Sequence, residues 1–173
     1  MSPRRAVAED APDAVDAVLD QWRRERPELD VEPMGTVARL GRVAGAVEQA
    51  VAAELRRHGL SIGEFDVLAA LRRAGAPHTL SPTELARTVV LSPGAMTNRL
   101  DRLEEDGLIS RRLSKRDRRS FDVTLTPSGL ERVDAAVSDH VANEARLLAA
   151  LSPTERRRLD AILRRLLTAR DAS

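Results

Sequence analysis

Apolar residues recur along most of this chain at steps of three and four, and in one short region the step changes to two. Val15, Val18, Leu19 and Trp22 share one face of a helix predicted over about 13–26. Pro27 disfavours helical geometry at Arg26 and ends it, leaving Pro27–Met34 as a linker with two prolines. A second helix follows over about 35–58, with Val37, Leu40, Ala44, Val47, Val51 and Leu55 on its apolar side and Gly59 at its left-handed terminus. Ser61 and Glu64 have capping-box spacing and open a third helix, which ends near Gly75. Ser81 and Glu84 repeat the device with Pro82 at the first helical position, so a fourth helix runs to about Val90. Ser92-Pro93 starts a fifth, closed by Gly107. Only one or two residues around Leu91 separate these last two, which is helix-turn-helix spacing.

After Gly107 the pattern is that of strands. Residues 108–113 read as one strand. Phe121, Val123 and Leu125 alternate with Asp122 and Thr124 in a second, half-buried strand. A β-hairpin directly following a helix-turn-helix is a winged helix. Thr126-Pro127 then opens a long helix to about Ala150, with Leu130, Val133, Val137, Val141, Ala145 and Leu148 on one face. Ser152 and Glu155 cap a last helix carrying Leu159, Ile162, Leu163 and Leu166. The expected fold is mainly α with a small β-hairpin wing. It is organised as a disordered tail (1–11), N-terminal helices (12–58), a winged helix (59–126) and C-terminal helices (127–173). Long amphipathic helices outside a small domain need a cover, and a symmetric dimer is the simplest one.

Composition narrows the chemistry. None of the 173 residues is cysteine, which excludes a thiol nucleophile, a zinc ribbon and a disulfide scaffold, and fits a cytoplasmic location. No apolar run exceeds five residues, so no membrane span is expected, and the N-terminus lacks the apolar stretch of a secretory signal. His58, His78 and His140 form no pair at metal-ligand spacing, and no glycine-rich phosphate loop follows a strand. Neither an enzyme nor a cofactor is expected. The net charge of +1 is uninformative, but its distribution is not. Residues 1–33 sum to −4, whereas residues 110–120 sum to +5. That basic patch sits at the tip of the hairpin.

The fifth helix turns Met96, Leu100 and Leu103 inward. Its opposite face is small and polar, so its backbone can approach DNA closely; Asn98 suits an adenine edge and Arg102 a phosphate or a guanine. Its Ser92 end offers backbone donors to a phosphate. The expected DNA contacts are Ser92, Ala95, Thr97, Asn98 and Arg102 on the helix, and Arg116, Arg118 and Arg119 on the wing, where arginines suit a narrow minor groove. The alternative is a solvated helix face and a solvated charge run.

The segment from Thr83 to Val133 resembles the winged helix of MarR-type bacterial regulators. The resemblance rests on the run LDRLEEDGLISR, the wing DRR and the junction VTLTPSG, and extends over about Val37 to Leu166. One departure is Ser114, where many members carry an acid. The resemblance implies a homodimer with interlocked terminal helices, a pseudopalindromic operator, and a ligand that weakens DNA binding, most often in repression. The added first helix is similar to that of the urate-responsive branch. That likeness implies a ligand site of Trp22, Asp66, Arg99 and Arg111.

The residues support this quartet on physical grounds. Asp66 interrupts the apolar stretch Phe65–Leu71, where a carboxylate is costly unless paired. Arg99 lies on the flank of the fifth helix rather than at the groove, Arg111 begins the first wing strand, and Trp22 offers a flat face to a planar ring. The expected mechanism has a planar anion stack on Trp22, pair with Arg99 and intrude on an Asp66–Arg111 contact. Repulsion from Asp66 then moves the recognition helix. Trp22 as interface packing and Asp66 as a satisfied core ion pair are the structural alternatives. Xanthine, trans-aconitate or a phenolic acid are the alternative effectors, and a ligand-blind architectural DNA binder or a module of coiled helices the alternative functions.

Overall fold

The computed structural model describes residues 11–89, 93–114 and 121–171. The proposed N-terminal tail, Ser92 and the wing tip with Arg116, Arg118 and Arg119 lie outside these residues. The elements are α1 (Ala14–Glu25), α2 (Glu32–Arg56), α3 (Ile62–Arg73), β1 (Thr79–Leu80), α4 (Pro82–Thr88), α5 (Pro93–Glu105), β2 (Ile109–Leu113), β3 (Phe121–Leu125), α6 (Pro127–Leu147) and α7 (Pro153–Asp171). The fold is mainly helical with a small antiparallel sheet, as expected. Among the described residues no helix is long and apolar enough to cross a membrane.

The chain forms two compact units. The first takes its described residues from 11–49 and 145–171. Here Asp13 caps α1 by accepting from the Val15 and Asp16 N–H groups, and Asp16 bonds back to the Asp13 N–H. Arg39 on α2 grips both carboxylates at 2.9 and 2.6 Å and draws the Asp13 carboxyl down to about 2. Val15, Leu19 and Val31 form a small core behind this clamp. The α2 helix starts at Glu32 rather than near Gly35. Pro33 has no N–H to lose in a first helical turn, and the Asp30 carboxylate accepts from the Glu32 N–H.

The second unit, residues 50–144, holds the larger core. Leu55, Leu68, Leu71, Leu85, Leu103, Leu108, Ile109, Val123 and Val133 are its fully buried large side chains. The capping boxes at Ser61 and Ser81 form as expected. The sheet has three strands in the order β1-β3-β2, not the two of a simple hairpin. The added strand is only Thr79–Leu80, paired with Thr124 and Val123 and fastened by a 2.8 Å bond between the Thr79 and Thr124 hydroxyls. Two residues are too short for a period to show.

The turn from α5 into β2 and the junction from β3 into α6 are built against each other. Gly107 takes φ +68, a conformation that favours glycine, and delivers Leu108 and Ile109 into the core. Thr126 caps α6: its hydroxyl accepts from the Gly129 N–H and donates to the Gly107 carbonyl, while its own N–H reaches the Leu108 carbonyl. A Cβ at Gly129 would stand 1.9 Å from that Leu108 oxygen, which is backbone and cannot swing away. Gly129→Ala is therefore expected to destabilise the protein by about 1–3 kcal/mol or more, seen as a melting temperature several degrees lower. An unchanged melting temperature would refute the close approach.

Candidate functional site

Helix α5 carries two kinds of position. Met96, Leu100 and Leu103 are buried, and Thr97, Asn98 and Arg102 are exposed, as the periodicity requires of a helix with one face left for a partner. Ala95 lies within α5, but its side chain, like Ser92 and the wing arginines, is outside the described residues. The strands leading to the wing are in register, with Leu113 opposite Phe121 and both well exposed.

The end of α5 is tied to β2 by Arg111. Its guanidinium meets Glu104 and Asp101, each at 2.7 Å, and its backbone N–H donates to Glu104 at 2.9 Å. These bonds hold the Glu104 carboxyl below its usual range. The expected Asp66–Arg111 contact is thus replaced: acids one and two turns before the strand lie closer along the chain and saturate the guanidinium. Arg111 acts here as a brace on the recognition helix.

Asp66 and Arg99 are brought together. Burial of Asp66 on α3 pushes its carboxyl up, and the charges of Arg99, then Arg73 and His140, offset part of that rise. Arg99 is half-buried and lies against the N-terminal turn of α3. A Cβ at Gly63 would fall 2.1 Å from its Cζ and 2.3 Å from its Nε, so the guanidinium rests on the bare Gly63 α-carbon. Its Nη1 is buried and has no hydrogen-bond partner. Nearby, His140 on α6 packs its ring 5.0 Å from that of Phe65, sends Nε2 to Glu144 at 3.2 Å, and buries Nδ1 without a partner. Trp22 belongs to the other unit, where it stays 39% exposed on α1.

Gly63, Arg73 and His140 were not among the expected site residues. Gly63 had a legible signal, since a glycine in the first turn of a capped helix has no turn to make. Arg73 had one too, since it follows Asp66 by two turns on the same helix, whereas His140 had none, because α6 is far from α3 in sequence.

The raised Asp66 carboxyl has a consequence for stability. A carboxyl whose folded value lies above its unfolded one binds its proton more tightly when folded, so ionising it costs stability. That cost is absent at low pH, grows as pH rises through the ordinary carboxyl range, and is complete above the folded value. Asp66→Asn should therefore raise the melting temperature at neutral pH, with the gain fading toward about pH 3–4. A loss at neutral pH would make Asp66 a stabilising ion-pair partner instead.

The MarR family model matches residues 58–120. The regulator PecS of Dickeya dadantii is 40% identical over 152 residues, which cover 88% of this chain and 92% of that protein. Among solved structures, Sco3205 of Streptomyces coelicolor, a MarR family regulator in complex with DNA, aligns with a TM-score of 0.73 at 22% identity, covering 82% of this chain and 89% of that one. Bordetella bronchiseptica BpsR, whose DNA binding is regulated by 6-hydroxynicotinic acid, aligns with a TM-score of 0.67 at 24% identity, covering 80% and 95%. The chain therefore belongs to the MarR family of winged helix-turn-helix regulators, proteins that control transcription by binding DNA and are not enzymes.

Proposed function

We propose that this protein is a homodimeric repressor released from a pseudopalindromic operator by a small planar anion, with urate the leading candidate. The observation that carries this reading is the Arg99 guanidinium: cationic, seated on Gly63 beside Asp66, with a buried Nη1 that has no acceptor. An anion supplies the missing acceptor. It also brings negative charge toward Asp66, which burial already disfavours in its ionised form. Arg99 lies on α5 next to Asn98 and one turn before Arg102, so moving its guanidinium off Gly63 turns the groove-facing side chains with it. Arg111 passes the same displacement to β2 through Asp101 and Glu104. Trp22, which belongs to the other compact unit, enters this reading only through the likeness to the urate-responsive branch.

The proposed DNA contacts Thr97, Asn98 and Arg102 are supported by their exposure on α5, and Arg116, Arg118 and Arg119 by the charge of residues 110–120; Ser92 and Ala95 enter from the sequence alone. Homodimerisation is supported by apolar side chains exposed in the single chain: Val37 and Val43 on α2, and Leu166 and Leu167 on α7. BpsR, with its planar carboxylic acid effector, supports the chemistry of the ligand, and PecS the regulatory role.

Two variants test the ligand site. Gly63→Ala should keep the fold, because the group it meets is the end of a flexible side chain, but it should weaken operator binding in the absence of ligand, because it moves the guanidinium off the α-carbon. It should also shrink the further weakening that saturating urate produces by at least about tenfold, measured by fluorescence anisotropy of labelled operator DNA. Unchanged release would remove Arg99 from the coupling. Trp22 is the only tryptophan, so its emission reports on the pocket. Saturable quenching by urate that Arg99→Gln abolishes would support the reading. Quenching by xanthine, salicylate or trans-aconitate instead would replace the effector. No response to any of the four would favour a ligand-blind DNA binder.

A further inference from the structure

The second unit contains a cluster that the DNA and effector surfaces do not use. Glu54 and His58 are four residues apart at the C-terminal end of α2, so they share one face. The last turn continues to His58 through its N–H bond to the Leu55 carbonyl. Asp139 faces them from α6. The His58 Nε2 stands 3.0 Å from the Asp139 Oδ2, and one ligand atom from each of the three residues lies within 4.8 Å of the others.

We propose that Glu54, His58 and Asp139 form a binding site for a divalent cation of the Zn²⁺ type. One imidazole nitrogen and two carboxylate oxygens are the donors such ions take, at about 2.0–2.2 Å each, and the absence of thiolates argues against Cu⁺. Donor atoms around a tetrahedral ion of that size stand about 3.5 Å apart. The His58–Asp139 pair is already inside that spacing, and the Glu54 ligand atom lies within 4.8 Å of both. The two carboxylates balance the charge of the ion.

The surroundings suit an ion that keeps solvent ligands. Glu54 is buried, the His58 side chain is 15% exposed and that of Asp139 51%, so the site is walled on the protein side and open on the other. An open cleft of about 570 Å³ adjoins His58, with Gly59, Ser128 and Arg132 also on its wall. Arg57 pairs with Glu54 at 2.7 Å, but its side chain is 69% exposed and can turn to water when a cation takes its place. Arg132 is held by the His58 carbonyl at 2.8 Å. Competition with these cations sets the affinity below that of a structural zinc site. The bound ion would clip the end of α2 to α6, and Asp139 directly precedes His140 of the effector region.

The test uses tag-free, full-length protein stripped with EDTA and titrated calorimetrically with Zn²⁺. Co²⁺ serves as the spectroscopic probe of ligand geometry. One ion per chain, visible d–d bands with Co²⁺, and a melting temperature raised by Zn²⁺ are expected. Asp139→Asn alters an exposed group and should fold normally while weakening Zn²⁺ binding by at least about tenfold. His58→Asn should do the same, whereas His78→Asn should bind as the wild type does. A wild-type protein that takes up no ion, or Asp139→Asn and His58→Asn proteins that bind as tightly as wild type, would overturn the site. Failure here leaves the effector reading intact, since that reading is tested through Gly63 and Arg99.

Discussion

The Arg99 guanidinium lies on an α-carbon that has no side chain, and that contact decides how α5 can behave. Any residue but glycine at position 63 would occupy the space the guanidinium fills. The helix that presents Asn98 and Arg102 is thereby docked on α3 through a charged, half-buried group rather than through apolar packing alone. Apolar packing offers no handle to a polar ligand. A guanidinium with an unfilled donor does, and it stands beside Asp66, whose carboxyl burial pushes up and the Arg99 charge draws down. Met96, Leu100 and Leu103 keep the helix in the core while Arg99 sets its orientation.

A second attachment limits what such an adjustment can do. Arg111 fastens the C-terminal half of α5 to β2 through Asp101 and Glu104, with the Glu104 carboxylate accepting from both side chain and backbone. Gly107 and the Thr126 cap then bind that strand to the start of α6. Under the proposed function, a shift at Arg99 would be carried by α5 and β2 together, rather than dissipated in the turn between them. This is the sense in which one charged contact reaches both groove-facing helix and wing.

Most of the architecture was legible in the chain because its devices are local. Capping boxes at Ser61 and Ser81 fix helix starts within four residues. Gly59 and Gly107 mark ends by their positive φ, and the change of period after Gly107 marks the sheet. What escaped was decided by distance along the chain. The β1 strand exists because Thr124 and Val123 supply its partners, 45 residues away. Arg111 looked like a partner for Asp66, yet Asp101 and Glu104 are within ten residues and close the shorter loop at lower entropic cost. The meeting of Asp66 with Arg99 was not expected as such: Asp66 interrupts an apolar stretch and so needed a partner, but the partner expected was Arg111. The seat on Gly63 required the helices to be packed.

The energies involved are consistent with a regulator rather than a rigid binder. A tenfold to hundredfold weakening of DNA binding needs a ligand that prefers the released state by about 1.4–2.8 kcal/mol. A charge-assisted hydrogen bond contributes about 1.5–3 kcal/mol, so one new bond to the Arg99 Nη1, made only when the guanidinium leaves Gly63, is of sufficient size. Contacts that the ligand makes equally in both states add affinity without moving α5. Under the proposed function release therefore rests on the arginine, and a planar ring without an anionic edge is expected to leave the DNA complex in place.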